Sequence, residues 1–226
     1  MLNNSKPLVY QLYQSPMSGD DIERKSFEII EREVDQKQFP AKEWKIIRRI
    51  VHTTADCEIA QDVFFSRNAV EAGIRALLKP SRIYVDSNMI RSGISLSRLK
   101  SVNPSYSSDS IYCHVADADV ADAARADGLP RSLHAMRKAL TMVDGAIVAI
   151  GNAPVALMEL NRMIMEGAAN PALVIGMPVG FVHVVESKNE LMKLPVEYIT
   201  IRGRRGGSPL AVSVIHALCG LAAATI

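Results

Sequence analysis

The sequence predicts an α/β fold, with a parallel sheet of five strands sandwiched between helices. Three observations predict it. Five short β-rich runs are separated by helical patterns, and such alternation implies parallel strands with helices packed on the sheet faces. Two of the runs, Gly145–Ile150 and Ala172–Met177, are almost continuously apolar, as strands buried on both faces require. The chain has 226 residues, 48% of them hydrophobic and 22% charged. That is ordinary for a folded protein and long enough to bury one sizeable core. We expect a single domain over 1–226, with 1–16 as a flexible N-terminal extension.

In chain order, Asp20–Val34 sets Ile22, Phe27, Ile29, Ile30 and Val34 on one side of a helix. Trp44, Ile47, Ile50 and Val51 form a second apolar stripe, and Asn68–Leu78 a third. The first strand is Arg82–Asp86 and the second Ser110–Val115. Helical patterns over Ala116–Ala126 and Ser132–Val143 lead to the third strand, Gly145–Ile150. A helix over Ala153–Met165 precedes the fourth, Ala172–Met177. The fifth, Val196–Ile201, is followed by a closing helix, Pro209–Ala223.

The loops after the last three strands carry the functional signal. They read Gly151-Asn152-Ala153-Pro154, Met177-Pro178-Val179-Gly180-Phe181, and Arg202-Gly203-Arg204-Arg205-Gly206-Gly207-Ser208-Pro209. In the last, Ser208 suits an N-cap and Pro209 the first helical position. Ligands of open α/β sheets bind beyond the carboxyl ends of the strands, so this edge is the expected cleft.

Composition excludes several classes. The net charge of +2 argues against a dedicated nucleic-acid binder. The three cysteines, Cys57, Cys113 and Cys219, are far apart and odd in number, which suits a reducing cytoplasm better than a disulfide framework. No run reaches the ~18 apolar residues that span a bilayer, and no signal-peptide core precedes Pro16. The histidine spacings match no metal motif, so no protein-bound metal is expected; nor does the sequence offer a compelling redox centre or cofactor site, and no cofactor is expected.

Two segments could carry chemistry. The Gly203–Ser208 loop combines glycines and a helix N-terminus with Arg202, Arg204 and Arg205. That arrangement suits an anion, although a plain strand–helix turn with solvated arginines has the same sequence. His52 is followed by Thr53, Thr54 and Asp56. It can serve as a proton donor near neutral pH, or simply bond a backbone carbonyl at a helix end. Arg131 and Ser132 open a helix after Gly128-Leu129-Pro130, where they either face an anion or cap the helix.

Taken in order, Ser26-Phe27, Arg49–Thr54, Asp86–Ile94, Arg131-Ser132, Ile150–Pro154, Pro171–Val182, Glu186–Lys188 and Arg202–Ser208 resemble the precorrin-8X methylmutase (cobalt-precorrin-8 methylmutase) family of corrin biosynthesis. The likeness runs from about Ile22 to Ala222. It implies a flavodoxin-like α/β/α sandwich, a homodimer, and an isomerase that moves a methyl group from C-11 to C-12 of a polycarboxylated tetrapyrrole. His52 matches the family's histidine, thought to protonate a ring nitrogen. The resemblance also implies a substrate pocket drawn from Ser26, Arg49, Thr53, Thr54, Asp86, Met89, Arg91, Gly93, Arg131, Ser132, Asn152, Gly180, Glu186, Ser187, Lys188, Arg202, Arg204, Arg205 and Gly206. Many members carry glycine where Ala55 stands and threonine where Pro130 and Val155 stand. Two alternatives use the same loops. One is a non-catalytic corrinoid carrier, which does not need His52, and the other is a flavodoxin-like nucleotide binder.

Overall fold

The computed structural model describes residues 7–226. It opens with two helices, α1 (Val9–Gln14) and α2 (Gly19–Glu33), so the second part of the expected N-terminal extension is helical. Residues 1–6 of that extension lie outside the described residues. Ser18 starts α2 with a capping box, accepting from the Asp21 amide while the Asp21 carboxylate reaches back, which satisfies two of the helix's orphan donors.

α3 (Ala41–Thr54) buries Trp44, Ile46, Ile47, Ile50 and Val51 and packs against α2. It ends at Ala55, which takes a left-handed conformation (φ 53°, ψ 30°) and returns its N–H to the Val51 carbonyl. A 3-10 turn over Cys57–Asp62 then leads to β1 (Val63–Phe65).

Next come α4 (Ala69–Leu78), β2 (Ile83–Val85), α5 (Asn88–Gly93), α6 (Leu96–Val102) and β3 (Ile111–Tyr112). They are followed by α7 (Ala118–Asp127), α8 (Arg131–Lys138), β4 (Ile147–Ile150), α9 (Pro154–Met165), β5 (Leu173–Gly176) and α10 (Val184–Leu191). The chain closes with β6 (Tyr198–Ile201) and α11 (Ser208–Ala223).

The sheet has six strands in the order β1-β6-β5-β4-β2-β3. Five are parallel, and β1 runs antiparallel to β6 with Val63 opposite Ile201. The expected five-stranded, wholly parallel flavodoxin-like sheet is therefore corrected to a mixed six-stranded one. The extra strand is three residues long, too short to show any alternation.

One hydrophobic cluster lies under α3, α4, α5, α6 and α11, and the other under α8, α9 and α10. Helices thus cover both faces, and α11, apolar nearly all round, is the hub of its layer. Gly93 of α5 permits a close approach to it, since a Cβ there would stand 2.9 Å from a Val212 methyl.

Candidate active site

β2 and β4 are neighbours whose following connections run to opposite sides of the sheet, a topological switch point of the kind where α/β proteins bind ligands. Here the chain fills that point itself. The Asp86 carboxylate, 3% exposed, accepts the backbone N–H groups of Gly151 (3.0 Å), Asn152 (3.0 Å) and Ala153 (2.7 Å). These are the free donors ahead of α9, which an anion would otherwise meet. Burial pushes the Asp86 carboxyl up, while the same three bonds pull it down.

The arginine loop is also engaged internally. Lys188, wholly buried, donates to the carbonyls of Gly203 (3.1 Å) and Arg205 (2.6 Å), and burial lowers its ammonium to about 8. Gly206 lies so close to the Met177 and Pro178 carbonyls that no Cβ fits. The Gly207 N–H donates to Met177 (2.8 Å), and the Ser208 hydroxyl meets that of Ser87 (3.0 Å). α11 begins at Ser208 with Gly207 as its N-cap, one residue earlier than the Ser-Pro pattern suggests.

The three arginines diverge. Arg202 lies over the Phe64 ring (4.0 Å), and Arg204 over Phe181 (5.3 Å). Arg205 pairs with Asp56 (3.1 Å), Glu58 (3.6 Å) and Asp62 (3.7 Å). Those acids follow α3, so Arg205 fastens the β6 loop to the segment four residues beyond His52. Gly180 (φ 139°) directs the exposed Phe181 loop, and its N–H reaches the Arg204 carbonyl at 3.4 Å.

Around the end of α3 lie open hollows. His52 is half-buried, its ring edge-on to Phe27 (5.4 Å, 71°). With Ser26, Glu33, Val51, Ala55 and Cys57 it lines a hollow of about 340 Å³. Neither ring nitrogen of His52 has a hydrogen-bond partner among the described residues. Ser26 turns its hydroxyl back to the Ile22 carbonyl (2.9 Å). Thr53 and Thr54 do the same with Arg49 (2.8 Å) and Ile50 (3.1 Å).

On the next face of α3, Arg49 and Thr53 line a second hollow of about 310 Å³ with Met89, Gly93, Val212 and His216. Arg49 is held by Glu23 through two bonds, 2.6 and 3.3 Å. Burial would raise the Glu23 carboxyl, but the Arg49 bonds and the charges of Arg49 and Arg98 hold it below its ordinary value.

The fold thus gathers Ser26, Arg49, His52, Thr53, Met89 and Gly93 around α3, with Arg205 tied nearby. It does not gather all the expected residues. Asp86, Ser187 and Lys188 are buried in the frame, and Ser187 bonds the Val184 carbonyl. Arg91, Asn152 and Glu186 are exposed, and their side chains form no hydrogen bond or ion pair among the described residues. Arg131 and Ser132 open α8 in the other helical layer. Three side chains at the hollows escape sequence reasoning: Glu23, Arg98 and His216. Glu23 and His216 sit in ordinary helical patterns and Arg98 in a helix too short to show one; only the packing of α2 and α11 on α3, and of α6 on α11, brings them together. Among the described residues no three His, Cys, Asp or Glu side chains gather to hold a metal, and no helix is long and apolar enough to cross a membrane.

Comparison with known proteins gives first a class. A protein of Priestia megaterium named cobalt-precorrin-8 methylmutase is 40% identical over 217 residues, covering 96% of this chain and 91% of its own. A precorrin-8X methylmutase of Pseudomonas aeruginosa is 37% identical over 202 residues, covering 88% and 94%. The crystal structure of precorrin-8X methyl mutase from Thermus thermophilus superposes with a TM-score of 0.84 at 42% identity, covering 92% and 98%. The chain is an isomerase that transfers a group within one molecule. Its residues 21–221 match the family model described as precorrin-8X methylmutase (CbiC), and it belongs to that family.

Proposed function

We propose that the protein converts precorrin-8X or cobalt-precorrin-8 to hydrogenobyrinate or cobyrinate by moving a methyl group from C-11 to C-12, with His52 as proton donor to a ring nitrogen. The observation that carries this reading is His52 itself. It is half-buried, its ring is positioned by Phe27, and its nitrogens are unclaimed among the described residues while it lines an open hollow. A proton donor must meet the substrate, and a histidine spent on a backbone carbonyl would not.

In this reading, Arg49, Thr53, Met89 and Gly93 hold the macrocycle beside His52, and Arg202 and Arg204 offer guanidinium groups to its carboxylates. Asp86, Lys188, Arg205 and Gly206 act by shaping the loops. Rate rises only to the extent that the site favours the protonated, migrating state over the resting substrate. We further read the chain as one domain that acts as a homodimer in the cytoplasm. A dimer is the means by which Arg131 and Ser132, set in the other layer, would reach a site.

His52→Ala should bind hydrogenobyrinic acid with a co-eluting colour on gel filtration yet fail to convert substrate. Near-normal turnover would remove His52 from the acid role. Binding of product by the wild-type protein with no turnover would favour the carrier reading instead.

A further inference from the structure

The hollow lined by Arg49 and Thr53 meets another, of about 200 Å³, at Arg49 and His216. The second is lined by Lys45, Arg48 and Arg98 as well, above Ala217 and Leu221 of α11. Four cations face it. Glu31 pairs with Arg48, and Glu23 pairs with Arg49 and lies 3.9 Å from Arg98. Two carboxylates against four cations leave an excess of two positive charges, and Lys45 has no partner among the described residues. Together the hollows make a groove along α11, apolar at Val212, Met89 and Leu221 and cationic at its side.

His216 stands where the two hollows meet, and its state follows from its bonds. Its Nε2 accepts the Ser95 N–H at 3.0 Å. A neutral ring that accepts at Nε2 carries its proton on Nδ1. Burial, together with the positive charges of Arg98 and Arg49 and against that of Glu23, lowers the ring to about 4, so near neutral pH it is a fixed donor. Nδ1 has no partner among the described residues. Among the described residues the buried side-chain polar atoms left without one belong to Trp44, Arg48 and Asn161, so Nδ1 is not sealed in the interior, and the groove is the opening that His216 lines.

We propose that His216 is a substrate-binding residue whose Nδ1–H donates to a carboxylate arm of the tetrapyrrole laid in this groove, the arm's charge being matched by Arg49 and Arg98. This rests on the proposed function and adds to it a second, permanently neutral histidine with a role distinct from that of His52. A donor that keeps its proton across neutral pH selects an acceptor group on the ligand and takes no part in proton transfer.

The test uses hydrogenobyrinic acid as probe. His216→Leu, which removes the donor, should weaken its binding about 10-fold or more, ~1.4 kcal/mol, and His216→Gln, which keeps a donor and an acceptor, should restore most of it. In the wild-type protein the His216 Nδ1–H signal, assigned by ¹⁵N NMR through its loss in His216→Gln, should shift on saturation. A purely structural histidine would leave that signal in place. Normal binding by His216→Leu, or an unmoved Nδ1–H signal at saturation, overturns the assignment of His216 and leaves the proposed function standing. Failure of the wild-type protein to bind the probe overturns both. If His216→Leu does not fold, the wild-type NMR titration decides.

Discussion

Ala55 ends α3 three residues after His52, with φ 53° and ψ 30°. An L-residue in the left-handed region costs about 1–2 kcal/mol, because its Cβ crowds the following carbonyl, and glycine escapes that cost. Glycine also loosens the unfolded chain, which offsets about 0.4–1 kcal/mol of the gain. The Ala55 methyl is exposed, so removing it forfeits little packing. Ala55→Gly should therefore stabilise the protein by about 0.5–1 kcal/mol, which for a domain of this size is a rise in Tm of about 1–4 °C. Ala55→Val should move the other way by more than 1 kcal/mol, roughly, since a β-branched side chain is an outlier there. Thermal and urea unfolding of the three proteins would measure both, with an unchanged m-value as the control. A lower midpoint for the glycine variant, or a valine variant as stable as wild type, would refute the strain argument. A glycine at this position would have a physical reason, namely that the helix before it must end in a left-handed residue.

Three further substitutions probe the frame. Gly206→Ala drives a methyl into the Met177 and Pro178 carbonyls; overpacking of this kind costs about 1–3 kcal/mol, and a variant with wild-type urea stability would show that the loop has slack. Asp86→Asn turns one acceptor into a donor facing three N–H groups and should cost about 2–4 kcal/mol, read as a lower urea midpoint. His216 gives a pH dependence. Its folded value, about 4, lies below the ordinary 6.5, so the unfolded chain takes up the proton first as pH falls. The neutral ring's contribution is then complete above pH 6.5 and is lost as pH falls toward 4. Discounted for an imperfectly sealed ring, that is about 2 kcal/mol. Urea midpoints for wild type and His216→Gln should converge or cross over that window, and parallel curves would contradict it.

The sheet was legible where burial writes itself into composition. β4 and β5, wholly buried, read as apolar runs, and the loops after them carry glycine and proline because the chain reverses there. β1 was not legible, because Val63–Phe65 is fixed by pairing with β6 and not by any pattern of its own. α5, α6 and α10 were also missed. They are six to eight residues long, close to two turns, too few for a 3.6-residue period to emerge. His52, Ser26 and Arg49 could be singled out as residues, but their grouping depends on α2 lying across α3. For His216, sequence showed only a polar interruption in an apolar helix. Its tautomer depends on Ser95, 121 positions away.

The division of labour among the charged residues follows from one substitution of roles at the sheet edge. An α/β sheet offers its switch point and helix N-termini to anions, yet here Asp86 occupies the N–H groups before α9, and Lys188 and Gly206 lock the loop before α11. A phosphate would have to displace a buried carboxylate that already holds three hydrogen bonds, each worth about 1.5–3 kcal/mol for a charged acceptor. The nucleotide-binding alternative therefore loses the physical feature that motivated it. What the edge still presents is Arg202 and Arg204, spread on aromatic rings. Beyond it, the end of α3 presents His52 on one face and Arg49 on the next. Cationic groups carried on separate elements suit a ligand with several separated carboxylates better than one compact anion, and a broad macrocycle is such a ligand.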